Sequence, residues 1–257
     1  MNNQIIEQVR ATTPLIHHLT NQVVMNFTAN GLLSFGAAPV MAKAEEEAAD
    51  MTSIADGVLI NIGTLTSSEF KAMIASGKAA NQKGIPIVLD PVGVAATPFR
   101  SDAVKQFLQE VHPTVIKGNA GELAHLVKIP WQTKGVESVG DGNVEEIAAE
   151  VAKTFQTSAV LTGKTDVIST SESTFTNETG HPLLAKVTGA GCLLGSILTA
   201  CLTTDDSIEE QALAAVQFYG LAAEYAVKQE GVQASGTFIP HFIDALSMDP
   251  EFLKIGA

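Results

Sequence analysis

The sequence is short of cysteine, and the two it has cannot pair. Cys192 and Cys201 are its only thiols. They lie in one apolar, helical stretch, and nine positions amount to two and a half turns, so they sit on opposite sides of a helix. An intrachain disulfide framework is therefore excluded, and no His/Cys pattern has zinc-site spacing. Basic residues are also scarce: 15 Lys and Arg face 28 Asp and Glu, for a formal net charge of -13. Such a surface repels nucleic acid and anionic lipid, so neither is an expected partner. An anionic substrate would need cations supplied locally, or a metal.

Long hydrophobic runs are missing as well. The longest apolar helix, near 192 to 202, is too short to span a bilayer. The start, MNNQIIEQVRATTP, lacks the basic residues and apolar core of a secretory signal. A reducing, cytoplasmic setting is the expectation. No linker, repeat or low-complexity tract divides the 257 residues, so a single domain over 1–257 is expected; α/β domains of this size are common. Aromatics are few, whereas Ala, Gly, Val, Leu and Ile are plentiful. That balance suits a mostly parallel sheet with helices on both faces.

The order of elements agrees. VLINI (58–62), IPIVLDP (85–91), TVIKGN (114–119) and SAVLTG (158–163) read as short buried strands. Helical spacing separates them at 67–83, around 101–110, from Ala120, and at 143–155 after a loop. Alternating βα units of this kind predict a parallel sheet. TDVIST and STFTNE read as antiparallel strands at its edge. Two long helices start at Ala190 and Ile208, and a last helical segment near Pro240. Each parallel strand ends in polar or glycine-rich residues: NIGT, LDPVG, IKGNAGE, LTGKT. Turns need such residues anyway, but four together at one rim mark where ligands bind in open α/β sheets.

SAVLTGKT, 158–165, imitates a phosphate-binding P-loop. The first glycine is replaced by Ser158, and a β-like DVIST follows where a helix is required, so the P-loop reading fails. Thr162 remains a candidate nucleotide contact. VTGAGCLLG, 187–195, is more specific. Gly189 and Gly191 permit positive φ and close backbone approach, and the helix behind them offers free N–H groups and a partial positive charge. Gly189, Ala190, Gly191 and Cys192 thus form a candidate anion hole and catalytic turn. A dinucleotide fingerprint would need its third glycine one residue earlier and a place early in the chain. The bland alternative is a tight turn followed by a buried structural cysteine.

Asp90 in VLDPVG and Glu122 in IKGNAGE could face one Mg²⁺, which takes one or two carboxylates plus phosphate oxygens. Lys117 can offset phosphate charge, and Asn119 lies beside it. Structural roles compete for each: a turn cap, a helix N-terminus, a solvated lysine. His17 and His18 could line a site or a loop, His112 reads as a helix end, Met41 as core or interface, and AEEEAAD as a solvated helix face.

Taken in order, HHLTNQVVMNFTANGLLSFGAAPVMA, LDPVGVAATPFR, IKGNAGE, LTGKTD and KVTGAGCLLGS resemble the hydroxyethylthiazole kinase family of thiamine salvage, within the ribokinase-like group. The resemblance runs nearly end to end. It implies a three-layer α/β/α ribokinase-like fold, use of ATP and Mg²⁺, transfer of the γ-phosphoryl group to 4-methyl-5-(2-hydroxyethyl)thiazole, and a homotrimer with active sites between subunits. By matched position it implies that Asn21, Val23 and Met41 line the thiazole pocket, with Gly189 and Cys192 also touching substrate. Lys117, where relatives often carry arginine, would contact ATP, as would Thr162; Asp90 and Glu122 would serve the metal. A kinase of another small alcohol such as hydroxymethylpyrimidine, a cysteine acyl-transfer enzyme, and a nucleotide-binding regulator without catalysis are the rival readings. A free thiol titrates near about 8.5, lower at helix N-termini, while ATP charge opposes that lowering. Cys192 is accordingly expected to act as a weak base or hydroxyl-positioning group, not as a covalent nucleophile.

Overall fold

The computed structural model describes residues 2–131, 133–134, 137–138 and 143–256. Its strands are β1 (Leu15–Leu19), β2 (Ala38–Val40), β3 (Gly57–Asn61), β4 (Ile87–Asp90), β5 (Val115–Asn119), β6 (Thr133–Lys134), β7 (Glu137–Ser138), β8 (Ser158–Thr162), β9 (Asp166–Ser169) and β10 (Thr174–Asn177). The helices are α1 (Asn3–Thr12), α2 (Met25–Phe35), α3 (Glu45–Ile54), α4 (Ser67–Lys83), α5 (Pro98–Glu110), α6 (Ala120–Leu126), α7 (Val144–Phe155), α8 (Ala190–Cys201), α9 (Ile208–Val227), α10 (Ser235–Leu246) and α11 (Pro250–Gly256).

Eight strands form one sheet in the order β10-β9-β8-β5-β4-β3-β1-β2. The six from β8 to β2 run parallel, while β9 and β10 add an antiparallel edge. The expected α/β/α layering is borne out. The short β6–β7 pair is a separate ribbon; the loop expected there lies largely outside the described residues.

Strand side chains alternate between faces. Ile16, Leu59, Val88, Val115 and Val160 pack with α1, α2, α8, α9 and α10. Val58, Ile60, Ile87, Leu89, Ile116 and Ala159 pack on the other face with α4 to α7. Helix boundaries follow local chemistry. Thr66 and Glu69 form a capping box that opens α4, and Gly84, at φ 77°, closes it. Asn119 and Glu122 make a second capping box, on α6. These reciprocal bonds satisfy amides that a helix start leaves without partners.

Two expectations need correction. His17 and His18 are neither loop nor open site: they lie inside β1 and are fully buried. His17 Nδ1 meets Thr52 Oγ1 at 2.8 Å and its Nε2 meets the Ala42 carbonyl at 2.7 Å. His18 bridges the Ile16 carbonyl and Ser196 Oγ, each at 2.9 Å; burial pushes it down to about 4, so it stays neutral. The last helical segment does not begin near Pro240. Helix α10 starts at Ser235 and carries Pro240 inside it. Thr237 Oγ1 takes the N–H groups of Gln233 and Ala234 at that start, and the buried, stacked Phe238 and Phe242 anchor the helix on the core. One lost backbone bond at the proline is tolerated there. Finally, α11 follows as a separate turn-and-helix.

Candidate active site

The two-residue alternation of parallel strands builds the site. Leu59, Val88, Val115 and Val160 face the layer containing α8. Two positions later on the same strands stand Asn61, Asp90, Lys117 and Thr162, which therefore face the same layer at the carboxyl ends of β3, β4, β5 and β8. The N-terminus of α8 sits over them. Lys117 Nζ donates to the Gly191 carbonyl at 2.9 Å and pairs with Asp90 Oδ2 at 3.2 Å. Asn61 Nδ2 donates to Asp90 Oδ2 at 2.9 Å and to Cys192 Sγ at 3.3 Å. Asn21, just past β1, donates to Asn61 Oδ1 at 3.0 Å and to the same sulfur at 3.5 Å. Asn21, Asn61, Asp90, Lys117 and Cys192 are all buried.

The turn ahead of α8 differs in part from expectation. Gly189 has φ 91°, in the region that favours glycine, and a Cβ there would stand 2.7 Å from Val24 Cγ1. Gly191 does not adopt positive φ. It is exposed, and a Cβ on it would come into contact with Lys117 Nζ, at 3.4 Å. The Ala190 N–H is engaged with the Val187 carbonyl at 3.2 Å, so it is not an anion donor. The second and third amides of the helix, Gly191 and Cys192, precede the first i→i−4 bond, from Leu193 N to Gly189 O, and remain available. Tyr219 braces the turn by donating to the Ala190 carbonyl at 2.6 Å.

Electrostatics correct a second expectation. The Cys192 thiol is not lowered by its helix start. Burial, and then the nearby Asp90 carboxylate, push it up to about 11, so it is a thiol at neutral pH. Burial likewise raises Asp90, against the pull of Lys117 and Asn61. Burial pulls Lys117 down, but the Asp90 carboxylate beside it leads the opposing pull and the ammonium is held charged. Burial, then Asp90, push Glu122 up to about 7.

Asp90 and Glu122 are the carboxylates that a divalent cation would meet here. Asp90 Oδ1 is buried and has no hydrogen-bond partner, so it has lone-pair capacity left for a cation. Glu122 receives the Gly93 N–H at 2.8 Å on one oxygen and the Asn119 N–H at 2.9 Å on the other, so its position is fixed while part of its lone-pair capacity remains. Among the described residues no cluster of three or more His, Cys, Asp or Glu could hold an ion by itself. The residues fit a cation shared with phosphate oxygens, as Mg²⁺ prefers.

Beside this group opens a cleft of about 780 Å³, lined among others by Thr162, Gly163, Asp166, Gly180, Gly191 and Tyr219. The LTGKT segment there is strand, turn and antiparallel strand, so this segment is not a P-loop. Thr162 thus reaches the cleft. Asn119 caps α6 by accepting the Glu122 N–H. Val23 is 69 % exposed and Met41 half-buried, and the neighbouring Val24 lies against Gly189 at the α8 turn.

The family model for hydroxyethylthiazole kinases matches residues 6–251. The chain belongs to the hydroxyethylthiazole kinase family. It is 58 % identical over 256 residues to hydroxyethylthiazole kinase 1 of Oceanobacillus iheyensis, covering 100 % of both. It resembles the solved hydroxyethylthiazole kinase protein of Pyrococcus horikoshii at 36 % identity and TM-score 0.84, over 95 % of this chain and 91 % of that one. A ribokinase-like superfamily protein of Enterococcus faecalis, 16 % identical with TM-score 0.66 over 100 % and 95 % of the chains, shares the fold. No helix among the described residues is long and apolar enough to cross a membrane.

Sequence reasoning missed three residues of this kinase-family site. Asn61 stood in NIGT as one more strand-end turn residue. Tyr219 lay in an ordinary apolar helix. Arg100, within LDPVGVAATPFR, donates to the carbonyls of Ile62 at 2.9 Å, Val92 at 2.6 Å and Gly63 at 2.6 Å, lacing together the loops that follow Asn61 and Asp90. Its signal was a lone arginine just after two of the rim loops.

Proposed function

We propose that this chain transfers the γ-phosphoryl group of ATP to the hydroxyl of 4-methyl-5-(2-hydroxyethyl)thiazole, the salvage reaction of its family. The observation that carries this reading is the convergence of two free α8 amides, the Lys117–Asp90 pair and the Cys192 sulfur beside a cleft of nucleotide size. The single α/β domain supplies all of these groups.

Phosphoryl transfer spreads charge over the phosphoryl oxygens in a loose transition state. The Gly191 and Cys192 N–H groups, fixed by the fold, take part of that charge without reorganising. Lys117 adds a full positive charge that cannot drift, because Asp90 and the Gly191 carbonyl hold it. As a point charge it lacks the two-pronged fork of arginine. Mg²⁺, when bound with ATP, neutralises phosphate charge; Asp90 Oδ1 would hold it directly and Glu122 through water. Thr162 and Asn119 stand on the nucleotide side.

On the acceptor side Asn21, Val23 and Met41 line the thiazole pocket, with Gly189 and Cys192 next to the reacting hydroxyl. The pocket lies at a trimer interface, each site being shared by neighbouring subunits. Cys192 positions the hydroxyl. With its thiol protonated it is no covalent nucleophile, and the alcohol's proton leaves late enough that no strong base is needed. Cytoplasmic residence accompanies this assignment.

Coupled ADP release tests the reading. The expected result is release that depends on both the hydroxyethylthiazole and Mg²⁺, with hydroxymethylpyrimidine a poor substitute. Release with the pyrimidine alone would favour a related kinase; ATP binding without transfer to either alcohol would favour a regulator.

A further inference from the structure

We propose that Asn61 is a positioning residue of the transfer reaction: its single carboxamide locks the Cys192 sulfur and the Asp90 carboxylate into fixed relation. The proposal rests on the kinase reading above for its consequence in turnover, but its geometry stands independently.

The orientation of the amide is not in doubt, because one of its partners can only donate. The backbone N–H of Gly63 reaches Asn61 Oδ1 at 3.0 Å, so that atom is the carbonyl oxygen and the other is nitrogen. Asn21 Nδ2 donates to the same oxygen at 3.0 Å. The two N–H groups of Asn61 then go to Asp90 Oδ2 at 2.9 Å and Cys192 Sγ at 3.3 Å. A carboxamide has two acceptor sites and two donors. All four are used, in a side chain only 1 % exposed.

The two halves of this amide do different work. The oxygen closes the turn after β3, a task that aspartate performs equally well, since both accept an N–H two residues on. The nitrogen does something a turn does not require. It fills one side of Asp90, where Lys117 also binds, and so leaves Oδ1 as the oxygen without a partner. It also gives the sulfur one of its two amide donors, the other coming from Asn21 at 3.5 Å. Two N–H groups, one from just past β1 and one from the end of β3, hold the sulfur. The carboxylate and the thiol thus cannot shift independently. Register supports the assignment: Asn61 is paired with Asp90 across β3 and β4, so one strand pair delivers both.

Asn61→Asp separates the halves. It preserves shape and the turn acceptor but removes both donors and sets a second carboxylate beside Asp90. Turnover should fall about 100-fold, the scale of a small misplacement at a reacting centre, with KM for ATP changed less than about threefold, as expected when only the transition state loses an interaction. In a Cys192→Ala background the same substitution should cost only about 10-fold, because one target of the lost donor is already gone. An equal penalty in both backgrounds overturns the proposal. A second measurement does not depend on the folding of an Asn61 variant: in ¹⁵N-labelled Cys192→Ala protein the side-chain NH₂ signals of Asn61 and Asn21 should move while that of Asn177 stays. Unmoved Asn61 signals contradict the proposal. If wild-type protein phosphorylates neither alcohol, the kinase reading fails, and the amide–sulfur contact is still decided by this spectrum.

Discussion

Helix α8 carries a cysteine near each end, and the two have different surroundings. Both are buried, Cys192 at 9 % exposure and Cys201 at 0 %. Cys201 belongs to the buried hydrophobic core, and burial drives its thiol far above the ordinary range. Around Cys192 stand two amide donors, a carboxylate and an ammonium. Position at a helix start did not lower the Cys192 thiol, because desolvation and Asp90 outweigh a partial helix charge. What separates the two ends is therefore the set of polar groups that the sheet rim delivers to one of them.

The most damaging test of that contrast is Gly191→Val. A branched side chain would fill the cleft side of the turn, next to Lys117, and deny phosphate its approach to the two free amides. Turnover should drop by about 10³-fold, the upper range for loss of one fixed donor, while thermal unfolding stays close to wild type. Lys117→Met comes next. It leaves Asp90 buried and without its counter-ion, so both turnover and stability should fall, the latter by about 3–5 kcal/mol in denaturant titration. A stable, active Lys117→Met protein would erase the electrostatic difference between the two helix ends.

Cys192→Ala should cost about 100-fold in kcat, the low end for a positioned group at a reacting centre, and leave clear turnover. Cys192→Asp should stay active, because its oxygens accept the same two amide donors. The smallest effect belongs to Cys201. Cys201→Ala should leave kcat unchanged and lower stability by about 1 kcal/mol, the cost of a small cavity.

Much of the site was legible because parallel strands read as apolar runs with abrupt polar ends. IPIVLDP and TVIKGN gave Asp90 and Lys117 directly, and 67–83 was read to the residue because a capping box and a glycine bound that helix. Strand β1 was not legible: two histidines interrupt LIHHL, and only the fold supplies Thr52, Ala42, Ile16 and Ser196 as their partners. Asn61 was hidden for another reason. Any strand may end in asparagine; its function lies in sharing a face with Asp90, Lys117 and Thr162, which needs register. The phase was present, two residues beyond Leu59, Val88, Val115 and Val160, but a single-strand reading cannot align it.

The charge around Cys192 also has a pH signature. Glu122, raised to about 7 by burial and then by Asp90, binds its proton more tightly folded than unfolded. That contribution to stability is complete below the ordinary glutamate range near about 4.3 and is lost as pH rises through about 7. In metal-free protein Glu122→Gln should therefore gain relative stability between pH 5 and pH 8, read as a shift in the Tm difference. No change in that difference would mean that the carboxylate is already ionised at acid pH.

The most direct measurement is a crystal structure with a non-hydrolysable ATP analogue, Mg²⁺ and the thiazole alcohol. The expected result places the terminal phosphate within about 3 Å of the Gly191 and Cys192 nitrogens, with the alcohol oxygen next to Sγ. A terminal phosphate bound elsewhere along the cleft, out of reach of both amides, would contradict the account.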